Sequence, residues 1–206
     1  MIRLNGVDKP STVNAVSTGQ QGIYHLADNP TLYEPQRSNN FEFVVDLGDL
    51  IRAGYLGSES NAVITDAQSI LRFSVTQTSV PHFQQNVIEI KRGNASMKFA
   101  GAITFGEGQL VINDYIGADS KAIIMAWQNL SGNVRTEKVG LASDYKKDAY
   151  LVEYTPEFQT VRRWVLKGCW ISGISEDPYN SEQAEKRTIT ATIQYDRAYI
   201  DTSESI

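Results

Sequence analysis

Val161-Arg-Arg-Trp-Val-Leu-Lys-Gly-Cys-Trp-Ile-Ser-Gly-Ile174 carries the densest apolar load and the clearest alternation in the chain. In an extended backbone, successive side chains point to opposite faces. Arg162, Trp164, Leu166, Gly168 and Trp170 then share one face, and Val161, Arg163, Val165, Lys167, Cys169 and Ile171 share the other. The expectation is a central strand whose core face is built on Trp164, Leu166 and Trp170. Each tryptophan contributes about 2 to 3 kcal/mol when fully buried.

Other stretches read as neighbours for this strand. Arg187 to Tyr199 alternates Thr188, Thr190, Thr192 and Gln194 against Ile189, Ala191, Ile193 and Tyr195. Asp148 to Tyr154 and Gln109 to Asn113 are shorter strands, the latter with Leu110 and Ile112 inward. Gln84 to Arg92 and Ser96 to Phe105 flank Gly93-Asn94, residues suited to a tight turn, and form a hairpin. Ile70 to Val80 sets Leu71, Phe73 and Val75 against Arg72, Ser74, Thr76 and Thr78, and Pro81 ends the run because it has no N–H to give a ladder. Phe41 to Asp46 places Phe41, Phe43 and Val45 on one face.

One helix stands out. It starts at Asp119 or Ser120 as N-cap and ends before Gly132, with Ile123, Trp127 and Leu130 as its buried stripe. That stripe is expected to cover Trp164, Leu166 and Trp170, since each element has one apolar face to bury. The fold class is therefore mostly β: a two-sheet antiparallel β-sandwich or half-barrel with one flanking α-helix.

Residues 1–40 are polar, hold Pro10, Pro30 and Pro35, and read as an N-terminal arm. Residues 41–200 form the β domain, interrupted at 47–67 by a glycine-punctuated loop insertion with at most a helical turn around Asp49 to Ala53, and 201–206 are a short tail. The arm and the insertion have too few periodic apolar residues to pack alone, yet they carry isolated anchors that point to contacts with neighbouring copies.

A chain of 206 residues fits one domain with a core large enough to need neither disulfide nor metal. Its single cysteine, Cys169, cannot form an internal disulfide, and nothing points to an oxidising compartment. No apolar run has the length of a membrane span and the N-terminus lacks a signal-peptide core, so membrane insertion is not expected. A net charge of −5 with scattered basic residues argues against a dedicated nucleic-acid-binding surface.

Motifs for catalysis are missing. The chain contains no Gly-x-Ser-x-Gly, P-loop, His-Glu-x-x-His or dinucleotide fingerprint, and Gly106-Glu-Gly108 reads as a β-turn. His25 and His82 have no cysteine or carboxylate at ligand spacing, Cys169 has no activating histidine, and Glu176-Asp177 and Glu182 to Glu185 read as solvated loop charges. The expectations are no enzyme activity, no cofactor and no metal. A polar strand face either meets water or lines a channel. Thr76, Thr78, Thr188, Thr190, Thr192 and Gln194 are the candidate channel-facing residues.

Tyr145-Lys-Lys-Asp148, Arg163-Trp-Val-Leu-Lys-Gly-Cys-Trp170 and Thr188-Ile-Thr-Ala-Thr-Ile-Gln-Tyr-Asp196, in this order, resemble the tail-tube proteins of contractile bacteriophage tails, a tube family shared with contractile injection systems. Leu71 to Pro81, Ile90-Lys-Arg-Gly93 and Ala126-Trp-Gln-Asn129 extend the resemblance over most of 41–200. Ile171 departs from it, standing where many relatives have proline, and so do the long arm and insertion.

The resemblance implies a homohexameric ring with an inner β-barrel. Such rings stack into a tube that houses the tape-measure protein and then conducts double-stranded DNA. A tail sheath surrounds it, with a baseplate tube initiator at one end and a tail terminator at the other. The implied location is the virion tail, assembled in the host cytoplasm. A wall without strong phosphate contacts suits that role, because Lys and Arg would retain the polyanion through counterion release.

The alternatives are a tube-initiating baseplate protein, or the tube of a secretion or extracellular contractile injection system. From other classes come a ligand-binding β-sandwich, which a stable monomer would favour, and a β-barrel hydrolase, which turnover would favour.

Overall fold

The computed structural model describes residues 3–4, 7–8, 34–47, 67–117, 119–182 and 184–201. Most of the arm, most of the 47–67 insertion with the expected turn at Asp49 to Ala53, and nearly all of the tail lie outside these residues. Strands β1 (Arg3–Leu4) and β2 (Val7–Asp8) form a short antiparallel ladder.

The body is an open, seven-stranded antiparallel sheet. Its strands are β3 (Phe41–Val45), β4 (Val75–Thr78), β7 (Gly108–Asn113), β10 (Lys147–Tyr154), β11 (Thr160–Glu176), β12 (Thr188–Gln194) and β13 (Arg197–Ile200). They are ordered β3-β10-β11-β12-β7-β4, with β13 also paired to β11. The 17-residue β11 is the shared member of two half-sheets. Its first half pairs with β10 and β13, its second with β12. Helices α1 (Ala67–Ser74) and α2 (Ser120–Ser131) pack over the inner face. The remaining elements are the hairpin β5 (Phe83–Arg92) and β6 (Ala95–Phe105), the short pair β8 (Gly132–Asn133) and β9 (Lys138–Val139), and the one-turn helix α3 (Ala142–Tyr145).

β11 is the central strand, but its inner face is not the expected one. β10 advances two residues from Lys147 to Ala149 while β11 advances three between their partners Cys169 and Leu166, so β11 carries a bulge. Gly168 sits in it at φ +66°, in left-handed space that glycine enters at little cost. Each extra residue flips the side chains beyond it. A second bulge between Ile171 and Gly173 repeats the shift. The inward series becomes Trp164, Leu166, Cys169, Ile171 and Ile174. Trp170 turns to the other face, half-buried, with its ring 5.6 Å from that of Tyr145.

Leu166, Ile123 and Trp127 meet in the core as the apolar pattern indicates, and Trp164 packs against them only partly buried. Its indole N–H donates to Glu153 Oε1 at 3.0 Å, which explains why the ring stays near the surface. α2 has its expected cap, with Asp119 Oδ1 accepting from the Ala122 N–H at 2.9 Å.

Two strand expectations are corrected. Ile70 to Ser74 is the end of α1, not strand: Ala67, Leu71 and Ser74 are buried and Ile70 packs on the core, the i, i+3, i+4, i+7 spacing of a helix, while Phe73 is 78 % exposed. Only Val75–Thr78 pairs, with β7. Arg187 to Tyr199 is also two strands. The chain breaks at Tyr195-Asp196, opposite the Gly168 bulge, where the Asp196 N–H donates to Lys167 O at 3.0 Å.

Candidate assembly interface

The outer face of β4, β7, β12 and the second half of β11 carries no charged side chain and is polar apart from Val111 and Trp170. On β12, Ile189, Ala191 and Ile193 are buried while Thr188, Thr190, Thr192 and Gln194 alternate with them on the outside. Register brings Thr190 beside Val111 and Ser175, Thr192 beside Gln109, and Thr188 beside Asn113. No Lys, Arg, Asp or Glu lies within this array, and carboxylates stand only at its two rims, one of them where Thr188 Oγ1 donates to Asp177 Oδ2 at 2.5 Å. At its rim, Gln194 Nε2 donates to Glu107 Oε2 at 3.2 Å.

β4 joins that face differently from its sequence pattern. A bulge between Val75 and Gln77 puts Gln77 opposite Val111 on the polar face and Thr78 opposite the buried Leu110. Thr76 sits in the bulge, exposed, its hydroxyl donating to Val111 O at 3.2 Å. The structure therefore brings Thr76, Thr188, Thr190, Thr192 and Gln194 to one surface and turns Thr78 away from it.

Among the described residues β3 at one end of the strand order and β4 at the other each have a strand partner on one side only, as does β13 beside β11. Unpaired N–H and C=O groups along such margins are templates for another chain. At the end where β7 finishes, an ionic clasp holds the β11–β12 connection. Arg187 pairs with Glu176 and Asp114, donates to Tyr179 O–H at 2.6 Å, and stacks 4.0 Å from the Tyr179 ring centre. Lys121 Nζ joins Glu176 at 2.8 Å. Hydrogen bonding from Lys121 holds the Glu176 carboxyl below its usual range, and hydrogen bonds from Thr188 do the same for Asp177.

A shallow concavity of about 220 Å³ on the outer face of β3, β10 and β11, lined by Val44, Tyr150, Val152, Tyr154, Thr160 and Arg163, carries no histidine, cysteine or carboxylate in its lining. Among the described residues no three His, Cys, Asp or Glu side chains are placed to hold a metal ion, and no described helix is long and apolar enough to cross a membrane. Cys169 is buried in the core, and burial pushes its thiol up to about 12. Nucleophilic attack needs the thiolate. Maleimide labelling of the folded protein near pH 8 will therefore run far slower than in denaturant, by at least roughly tenfold. Comparable rates would show that β11 opens around Cys169.

No protein-family model matches the sequence, and no curated protein matches it. Solved structures do. A chain of the anti-feeding prophage tube-terminating cap matches with a TM-score of 0.58 at 16% identity over 82% of this chain and 93% of its own. A chain of the sheath–tube complex of an extracellular contractile injection system in its extended state matches with a TM-score of 0.59 at 14% identity over 85% and 96%. A sheath/tube terminator chain of that system matches with a TM-score of 0.57 at 12% identity over 84% and 100%.

This chain has a tube-type fold. On that fold, the feature the sequence pattern understated is the β5–β6 hairpin. The hairpin forms as expected, but it stands apart from the body sheet, and every residue from Phe83 to Ala100 is exposed. Its signal was available: Ile88, Ile90, Met97 and Phe99 fall on one face and Val87, Ile103 and Phe83 on the other, so neither face is a solvent face.

Proposed function

We propose that this chain is the structural subunit of a phage tail tube. Six copies close into a ring by pairing their open margins, and rings stack around a lumen walled by the Thr188, Thr190, Thr192 and Gln194 face. Double-stranded DNA passes through that lumen after the tape-measure protein leaves it, and a contractile sheath lies outside. A baseplate initiator and a terminator bound the tube, which is assembled in the host cytoplasm and ends in the virion tail. The arm and the 47–67 insertion contact neighbouring subunits and rings. The subunit does no covalent chemistry.

The observation that carries this reading is an open sheet whose outer strands pair on one side only among the described residues, with a β12 outer face that bears no charged side chain, set on a tube-type fold. Burying the margins between copies satisfies them, and a wall without cations lets a polyanion slide. Native mass spectrometry and negative-stain microscopy of the purified full-length protein test it. Six-copy rings and long tubes are expected. Monomers alone under tube-forming conditions would overturn it.

A second reading is favoured by the sources of the matching structures, an extracellular contractile injection system and an anti-feeding prophage: the tube, cap or terminator of such a system. A cap or terminator stops at one ring where a tube subunit polymerises, so tube length separates these roles.

A further inference from the structure

Glu176, the last residue of β11, holds two cations at once. Its Oε2 accepts from Lys121 Nζ at 2.8 Å and also pairs with Arg187 Nη2. Lys121 comes from the first turn of α2 and Arg187 from the position before β12, so one carboxylate oxygen ties three elements together. Arg187 meets other acceptors on its remaining sides. Its Nη1 pairs with Asp114 Oδ2 at 3.3 Å, beyond the end of β7, and donates to the Tyr179 hydroxyl at 2.6 Å, while Nε donates to Asp177 O at 3.3 Å. Asp177 Oδ2 in turn accepts from the Thr188 N–H at 3.0 Å and from its hydroxyl at 2.5 Å. Asp119 is engaged as the α2 cap, and the Tyr115 hydroxyl accepts from Asn113. The other charges of the loop, Glu182, Glu185 and Lys186, are exposed.

While Glu176 is ionised, it stands between Lys121 and Arg187 and attracts both. Once it is neutral, two cations within bonding reach of the same oxygen are left facing each other, and like charges that close repel. Arg187 keeps Asp114, so relief comes from parting α2 and the loop. The Arg187 side chain is 18 % exposed, Glu176 25 % and Lys121 33 %, so water is at hand to receive the parted charges. Little else holds the loop down: its described residues from Pro178 to Lys186 are all exposed, and the Tyr179 ring lies on Arg187 itself.

We infer that Glu176 is the keystone of an acid-released latch on the 177–187 loop: ionised, it clamps the loop to α2 and β7, and protonated, it frees the loop while the sheet stays folded. The latch lies within one copy and does not depend on the tube reading. Hydrogen bonding from Lys121 lowers the Glu176 carboxyl below its ordinary range, and hydrogen bonds from Thr188 do the same for Asp177. A carboxyl lowered in the folded state stabilises fully above its ordinary range and loses that contribution as pH falls through the lowered value. The latch is therefore shut at neutral pH and opens only in acid, below about pH 4.

Glu176→Gln keeps the shape of the side chain and removes its charge at every pH. At neutral pH and low salt, trypsin should cut the full-length variant after Arg187 at least roughly tenfold faster than wild type, because that side chain must leave the clasp to enter the protease. The circular dichroism spectrum should not change. Adding Lys121→Met removes the opposed cation and should return the rate to within about threefold of wild type, whereas a packing role for Glu176 would leave the double variant as fast as the single one. Wild-type rates in Glu176→Gln, or no recovery on adding Lys121→Met, would overturn the latch. Wild type supplies a second measurement should the variant fold poorly: hydrogen exchange followed by NMR from neutral pH down to about pH 3, corrected for intrinsic rates. Protection of the Asp114 and Asp177 N–H groups, bound to Arg187 O and Thr188 O, should collapse while the Tyr154 and Asp201 N–H groups, bound to Asn40 O and Arg163 O, stay protected. Loss at all four together would overturn it.

Discussion

Trp127→Ala will produce the largest loss of stability of any single substitution on α2. The Trp127 ring is fully buried in the core, and its indole N–H donates to Tyr145 O at 3.0 Å, tying α2 to α3. Removing a buried tryptophan costs about 3 to 5 kcal/mol through lost transfer energy and the cavity left behind. The Tyr145 carbonyl also loses its donor, which adds roughly 1 to 3 kcal/mol if water does not reach it. Against a total stability of about 5 to 15 kcal/mol, the variant sits close to unfolding. Thermal denaturation followed by circular dichroism should show a drop of roughly 10 °C or more. Trp127→Phe, which keeps most of the volume, should recover about half of it. Trp164→Ala should cost less than Trp127→Ala, because Trp164 is only partly buried. The reverse order of the two melting temperatures would place the centre of the core under β10 instead of under α2.

That ordering of the two tryptophans was only half legible from residue types. The strands on either side of β11 could be read because their alternation is uninterrupted: Phe43 and Val45, Leu110 and Ile112, and Ile189, Ala191 and Ile193 are all buried at period two. α2 could be read because a cap, an apolar stripe and a glycine stop agree. α1 could not, since Leu71, Phe73 and Val75 fit period two as well as Ala67, Leu71 and Ser74 fit a helix, and eight residues are too few for periodicity to decide. Residue parity places Trp170 and Thr78 on the wrong faces for one shared reason. A bulge adds a residue without changing residue types, so parity counted along the sequence fails beyond it. For the candidate interface, the polar face of β12 was visible as a row of threonines. The hairpin's isolation was not, because whether a strand pair lies on a body or stands free is decided by long-range packing.

Gly168→Val should be nearly as damaging as a core deletion, although Gly168 buries no side chain. At φ +66° a β-branched residue is strained, at a cost of about 1 to 3 kcal/mol. A Cβ built there would also overlap the Asp196 carboxylate, which Lys146 holds at 2.7 Å and whose own N–H is bound to Lys167 O. Asp196 is the point where β12 ends and β13 turns away, so displacing it loosens both partners of β11 at the bulge that aims Cys169 and Ile171 inward. The substituted chain is expected to melt roughly 5 to 10 °C lower, taking a loss of a few kcal/mol at 2 to 4 °C per kcal/mol. Cys169, next in sequence, gives a local readout: its maleimide labelling should accelerate at least tenfold over wild type under native conditions. Gly173→Ala is the matched control. It lies at the second bulge of the same strand, but its φ is not positive and no atom stands within 4 Å of an added Cβ, so it should leave both readouts unchanged. Equal effects of Gly168→Val and Gly173→Ala would mean that side-chain bulk on β11, and not the left-handed bulge, sets the register.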